Sequence, residues 1–142
     1  MDLPTLLFED RIAVKSIDTS KFERVARIKG KTSAFEADIS LDVNTDLFPV
    51  QEKQVITIAI ADQICAIPNK TGIDVLTHKL PSLLEQYDYV MHGRVFRVEN
   101  KSGMSRTLYA SFGGLLLSIQ SDAQTIAGIS IDQRIYILLS SV

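Results

Sequence analysis

The sequence predicts an all-β domain, a barrel or sandwich of seven or eight short antiparallel strands with one long central loop. Apolar residues recur with a period of two along most of the chain, and the segments that show this period are rich in β-branched and aromatic residues. The pattern breaks at length once, between Ala66 and Asp88. Because successive side chains point to opposite faces of a strand, this period is typical of half-buried strands. The spacing of the segments fits a barrel or a sandwich.

Residues 34–43 show the alternation most clearly. The apolar positions of this segment are Phe35, Ala37, Ile39, Leu41 and Val43. Carboxylates alternate with them at Glu36, Asp38 and Asp42. One face of the predicted strand is therefore apolar and the other acidic, as a half-buried antiparallel strand requires.

The remaining segments read in the same way. The further predicted strands are residues 7–17, 22–29, 55–61, 89–99, 108–120 and 134–139. Gly113 and Gly114 lie inside the segment 108–120, where a glycine pair predicts a bulge, a sharp bend or a close backbone approach. The long loop, residues 66–87, has capping-box spacing at Ser82 and Glu85, so it contains either one or two helical turns or an irregular chain. The length suits a single domain over residues 1–142.

Composition and charge exclude several classes of protein. The net charge is -2, with a pI near 5.6, whereas a protein that binds nucleic acid mainly through its phosphates usually carries an excess of basic residues. The single cysteine, Cys65, cannot form an internal disulfide, which favours a reducing compartment. We expect no signal peptide, because Met1–Pro4 carries no cation, and no membrane association, because the apolar stretch Val55–Ile67 is too short to cross.

Catalytic and metal-binding motifs are not found in the sequence. The histidines, His78 and His92, have no metal-ligand spacing with each other or with Cys65. Neither a P-loop nor a dinucleotide fingerprint surrounds Gly113-Gly114. Asp38 and Asp42 share a strand face, which reads as a solvated surface. We therefore predict no catalytic residue, no cofactor, no metal and no small-molecule substrate.

One local cluster of cations stands out. Five of the fifteen lysines and arginines fall within eleven residues, at Lys21, Arg24, Arg27, Lys29 and Lys31. Phe22 and Phe35 flank this basic run. Cations that follow phosphates, with rings that stack on bases, are typical of a single-strand groove. The alternative is a solvated strand and turn that pairs with acidic residues of a partner protein, and the sequence leaves both open.

Motifs along nearly the whole chain carry a family resemblance. They are Leu7–Asp10, Phe22–Arg27, Leu41–Asn44, Leu47–Val50, Tyr87–Gly93, Ser111–Leu116 and Ile131–Leu139. With these motifs in this order, the sequence resembles the eighth subunit shared by nuclear RNA polymerases I, II and III. It departs from the family at His92, where a tyrosine is usual, and at Ser118, where a basic residue is common.

The resemblance implies an OB-type barrel of eight strands, with no catalytic residue or metal of its own. It implies that the chain docks on the largest polymerase subunit and contacts other subunits, in the nucleus including the nucleolus. It also implies weak, non-specific contact with single-stranded DNA through about residues 17–41, which contain the basic run. The alternatives are a free-standing OB-fold protein that binds single-stranded nucleic acid, and an enzyme or ligand-binding barrel.

Aromatic residues and methionine are enriched at the centres of protein interfaces, which suggests where the chain would dock. We expect the subunit interface to involve Tyr89, Met91, Phe112, Gly113 and Gly114. The neighbouring Val90, Leu115 and Leu116 fit either the interface or the barrel core.

Overall fold

The computed structural model of the chain describes residues 6–63, 86–100 and 103–141, except for the side chains of residues 20–22. These residues form eight strands. The strands are β1 (Phe8–Phe22), β2 (Val25–Thr32), β3 (Asp38–Asn44), β4 (Val55–Ala61), β5 (Tyr89–Asn100), β6 (Ser105–Phe112), β7 (Leu115–Asp122) and β8 (Arg134–Ser141).

The eight strands close into one antiparallel barrel in the order β1-β2-β3-β7-β6-β5-β8-β4. Hairpins join β1 to β2, β2 to β3, β5 to β6 and β6 to β7. The barrel closes through the pairs β3–β7, β4–β8, β5–β8 and β1–β4, which unite segments distant in sequence. The predicted all-β fold is confirmed, and the closed eight-stranded barrel agrees with the expected OB type.

The barrel interior is packed with the inward-facing side chains of every strand. Fully buried members include Ile12, Ile28, Leu41, Ile58, Leu108, Leu117, Ile119 and Ile137. Strand β2 shows the cause directly, because its residues alternate between buried and accessible positions along its length. The period of two in the sequence therefore sorts the side chains between the core and the outer surface.

The strand predicted from residue 34 begins instead at Asp38. Residues 33–37 form the turn between β2 and β3, in which Glu36 takes a φ of 54°. Asp10 holds this turn by accepting hydrogen bonds from the N–H groups of Ala34 at 3.1 Å and Phe35 at 2.8 Å. Phe35, which the alternation placed on the apolar face, is consequently 48% exposed, although its ring contacts Phe8.

The single long strand expected over residues 108–120 is a hairpin. Gly113 and Gly114 have φ angles of 65° and 100°, and the chain reverses there between β6 and β7. Two successive positive φ values suit the tight turns that join twisted antiparallel strands, and glycine adopts them without steric cost. The glycine pair thus ends one strand and starts the next.

Part of the sequence prediction lies outside the described residues. The loop expected at residues 66–87 falls there apart from its last two positions, and so do Cys65, His78, Ser82 and Glu85. Within residues 6–63, 86–100 and 103–141, no helix is long and apolar enough to span a membrane.

Candidate functional site

Strand β2 presents the basic run to the outside of the barrel. Arg27, Lys29 and Lys31 alternate with the buried Ile28 and Gly30, so their side chains share the outer face. The structure therefore brings together three of the five cations that the sequence singled out.

The two remaining cations of the run lie in and before the turn that precedes β2. Arg24 is exposed in this turn with a φ of 62°, and its Nε lies 3.4 Å from Asp46 Oδ2. The side chain of Lys21 lies outside the described residues, as does that of Phe22.

Arg27 is held by a buried carboxylate. Its Nε donates to Asp42 Oδ1 at 2.7 Å and its Nη2 to Asp42 Oδ2 at 3.1 Å, a two-pronged contact between β2 and β3. The hydrogen bonds that Arg27 donates to Asp42 raise the pKa of Arg27, against the opposing effect of burial. Asp42 also accepts the N–H of Leu116 at 3.0 Å, just after the Gly113-Gly114 turn. The Arg27 guanidinium therefore links β2 to β3 through Asp42.

Lys29 and Lys31 remain the accessible cations of β2. Both are exposed, and neither forms an ion pair with another described residue. Lys29 lies opposite Ser40 on β3, and Lys31 lies opposite Asp38. Among the described side chains of the basic run, the two arginines form ion pairs and the two lysines face solvent.

A trough crosses the outer face where β3 meets β7. It has a volume of about 450 Å³, and the short side chains of Ser40 and Ser118 form its floor. Lys15 and Lys29 line one side, and Thr107 and Tyr109 line the other. The trough joins strands that are far apart in the chain.

Two features of the trough escaped the sequence prediction. Lys15 is the extra residue of a β-bulge between the pairs Val14–Gly30 and Ser16–Lys29, and bulges often re-aim side chains in this way. Tyr109 lies on β6, and the Cζ atom of Arg97 lies over its ring, 5.7 Å from the ring centroid. Only knowledge of the strand order could have joined these residues to Lys29.

Asp10 is a further residue beside the basic run whose role the sequence did not reveal. Burial opposes its ionisation, but the hydrogen bonds from Phe35, Arg11, Thr32 and Ala34 outweigh that effect and lower the pKa of Asp10. The carboxylate is therefore charged and anchors the β2–β3 turn, which carries Phe35 beside the basic run.

The five residues expected at the subunit interface fall into two groups. Tyr89, Met91 and Phe112 are buried in the barrel, with 8%, 9% and 5% of their surfaces exposed. Tyr89 stacks on Phe48 and accepts the N–H of Asn44, so it braces the end of β3 from inside.

The second group, Gly113 and Gly114, is exposed at the tip of the β6–β7 hairpin. No heavy atom would lie within 4 Å of a Cβ added at either glycine. Leu116, which follows this turn, is 40% exposed, whereas Leu115 packs partly against the core. The accessible part of the predicted interface therefore consists of the backbone of Gly113 and Gly114 and the side chain of Leu116.

The side chains that could bind a metal or take part in catalysis lie apart from one another among the described residues. No cluster of three or more histidine, cysteine or acidic side chains suited to a metal occurs in this part of the chain. His92 is exposed and contacts the ring of Tyr136, with 4.4 Å between ring centroids. Asp38 lies at the trough rim and Asp42 is engaged with Arg27, so the two carboxylates do not act as a pair.

Comparison with known proteins matches the chain over almost its whole length. Residues 9–141 match the family model described as RNA polymerase Rpb8. A relative from Dictyostelium discoideum, "DNA-directed RNA polymerases I, II, and III subunit rpabc3", is 36% identical over 96% of this chain and 98% of its own.

Two further relatives come from distant eukaryotes. "DNA-directed RNA polymerases II, IV and V subunit 8B" of Arabidopsis thaliana is 31% identical, covering 94% of each chain. "DNA-directed RNA polymerases I, II, and III subunit RPABC3" of Schizosaccharomyces pombe is 28% identical over 95% of this chain and 96% of its own. With an eight-stranded barrel and a family match from β1 to β8, this chain belongs to the RNA polymerase Rpb8 family.

Proposed function

We propose that this chain is a structural subunit of the nuclear DNA-directed RNA polymerases I, II and III. The observation that carries the proposal is the family match over residues 9–141, together with relatives named as shared polymerase subunits that align over nearly their entire lengths. The role is assembly without catalysis by this chain, and its place is the nucleus, including the nucleolus. A free-standing nucleic-acid-binding protein is not favoured, because the relatives carry the names of polymerase subunits.

We propose that the chain docks on the largest polymerase subunit through the hairpin tip at Gly113-Gly114. The tip is exposed, lacks side chains and is followed by the half-exposed Leu116, so a partner backbone can approach it closely. The bond from Leu116 N–H to Asp42 fixes the base of the tip against β3. Tyr89, Met91 and Phe112, which are buried, belong to the barrel core.

Native purification of a tagged chain from nuclear extract tests the proposed function. A structural subunit should co-purify with the largest polymerase chains in near-equal amounts, and a fluorescent fusion should be nuclear with nucleolar enrichment. Recovery of the chain alone, from an extract in which the polymerases are intact, would refute the proposal.

The variant Gly114→Val tests the hairpin tip. A β-branched side chain is strained at a φ of 100°, and it would stand where the partner is to approach. We expect polymerase association to fall at least tenfold for this variant. Gly103→Val, at a φ of 78° in another exposed turn, is the matched control for backbone strain. Equal association of both variants with the polymerase would contradict docking through the Gly113-Gly114 tip.

A weak contact with single-stranded DNA is a second candidate activity. The exposed Lys15 and Lys29 line the trough, and the exposed Lys31 lies opposite Asp38, which also lines it. Because Arg24 and Arg27 pair with carboxylates, Lys29 and Lys31 are the cations of the described part of the basic run that have no ion-pair partner there and can neutralise phosphates. We expect weak binding that falls steeply with salt and is lost in Lys15→Ala/Lys29→Ala. Sub-micromolar binding at physiological salt would contradict a weak contact.

A further inference from the structure

Two arginines face each other on the outside of the barrel, and none of the residues that the structure describes is their counter-ion. Arg94 on β5 and Arg134 on β8 are directly paired in the antiparallel ladder, and both side chains are exposed. Neither forms an ion pair with another residue that the structure describes. Like charges directly opposite in a sheet destabilise it. A carboxylate from outside the chain would relieve this repulsion.

Apolar side chains border the two arginines. Ser111 on β6 pairs with Arg94 on one side and with Leu116 on the other, so Leu116 lies two strands from Arg94 in the same row. Phe96 is the extra residue of a β-bulge in β5, and it is 48% exposed. These residues form a mixed cationic and apolar surface, which we call the β5–β8 arginine surface.

A small hollow opens in this surface between Phe96 and Leu116. Its volume is about 210 Å³, and the rest of its lining consists of Arg27, Ser40, Tyr109, Leu117 and Ser118, with Arg27 already paired to Asp42. Pockets for small-molecule ligands usually exceed roughly 300 Å³. The hollow therefore suits one large apolar side chain inserted from a partner.

We propose that the β5–β8 arginine surface receives an acidic segment of another polymerase subunit. One large apolar side chain of that segment fills the hollow, and its carboxylates pair with Arg94 and Arg134. The proposal rests on the proposed function, since the partner is taken from the same assembly. It adds a second contact, with a defined chemistry, beside the Gly113-Gly114 tip.

The aromatic residues here favour a protein partner over a single strand of nucleic acid. The guanidinium of Arg97 already lies 5.7 Å from the centre of the Tyr109 ring, and Arg97 pairs with Glu99. The Phe96 ring in turn leans on Tyr109, with 6.2 Å between centroids. Successive bases need open ring faces on which to stack. Leu116 offers none, whereas it packs readily against an apolar side chain.

Photo-crosslinking within the assembled polymerase identifies the segment that fills the hollow beside Phe96. A benzoylphenylalanine replaces Phe96 in the full chain, and the same replacement at Phe35, which is also 48% exposed, is the matched control. We expect the probe at 96 to crosslink to a subunit segment rich in Asp and Glu. A crosslink to nucleic acid, to a segment without acidic residues, or to nothing would overturn the proposal.

Charge reversal at Arg134 separates docking from folding. Arg134→Glu places a carboxylate opposite Arg94, so the melting temperature of the free chain should stay or rise while its recovery in purified polymerase falls about tenfold. Arg11→Glu on β1 is the control with unchanged recovery, since Arg11 is exposed and lies on β1, outside this surface. Unchanged recovery of Arg134→Glu would refute the inference. If wild-type chain does not co-purify either, the proposed function itself fails.

Discussion

Asp42 joins three strands, and its replacement by alanine is the sharpest test of how the barrel is held. The change removes both hydrogen bonds from Arg27 and the one from Leu116 N–H. It leaves a guanidinium that is only 25% exposed without a counter-ion, while Asp42 itself is 5% exposed. Breaking a buried pair typically costs about 3–5 kcal/mol, and partial access of water to Arg27 reduces that figure. With the unsatisfied N–H included, we expect a loss of about 3 kcal/mol.

Urea denaturation followed by circular dichroism measures this loss in the isolated full chain. At roughly 3 °C per kcal/mol for a chain of this size, the melting temperature should also fall by about 10 °C. Asp46→Ala is the matched control, because it breaks the exposed pair with Arg24, whose side chains are 59% and 74% accessible. Exposed pairs contribute about 0–1 kcal/mol, so this control should be close to wild type.

A second variant assigns the cause of the loss. Arg27→Met combined with Asp42→Ala should recover part of the stability, because no buried charge is then left unpaired. If Asp42→Ala and Asp46→Ala lose the same free energy of unfolding, the strands are not held by Asp42 and the reasoning fails.

Three further perturbations probe other contacts. Hydrogen bonds lower the pKa of Asp10, so its contribution to the free energy of unfolding is present above the usual pKa of 3.8 and is lost as pH falls below that value. In Asp10→Asn, the free energy of unfolding measured in urea should therefore fall less steeply on acidification. An unchanged slope would contradict this. Burial, with a hydrogen bond to Glu9, raises the pKa of Tyr87 from 10.0 to about 12, so stability should fall as pH rises through that interval, and Tyr87→Phe should abolish that part of the alkaline loss. In Gly93→Ala the new Cβ would lie 2.1 Å from the Ser111 carbonyl oxygen, so the free energy of unfolding should fall by about 3 kcal/mol. In the control Gly128→Ala the nearest atom would lie 3.8 Å from the new Cβ, and the same denaturation assay should show no change.

Periodicity predicted well which side chains of a strand face the barrel interior, but not that Ala59 and Asp42, on the other faces of β4 and β3, are buried as well. The segment predicted at residues 55–61 coincides with β4, and the alternation in residues 37–43 matches the buried positions of Ala37, Ile39, Leu41 and Val43. The prediction was wrong at Phe35, because a turn can continue the alternation by chance. The N–H groups of this turn donate hydrogen bonds to Asp10 on β1, and no local sequence pattern reveals this contact.

The candidate sites were predictable only in part, because they depend on which strands are neighbours. The cation cluster in residues 21–31 could be read directly from the sequence. Its division into paired and free charges could not, because Arg27 meets Asp42 only in the register of β2 with β3. The trough and the β5–β8 arginine surface require closure of the barrel, in which Arg94 meets Arg134 from a segment forty residues later.

Asp42 changes how the basic run should be understood. In the sequence Arg27 is one of five cations suited to a phosphate backbone, and Gly113-Gly114 is a separate motif. In the fold, one buried carboxylate neutralises Arg27 and fixes the N–H that follows the glycine turn. The cation therefore supports the proposed docking tip, and the lysines beside it are the ones that we propose for a contact with single-stranded DNA. The same residue type has a different role at Arg94 and Arg134, where no described carboxylate forms an ion pair with either guanidinium, and where we propose that a partner supplies one.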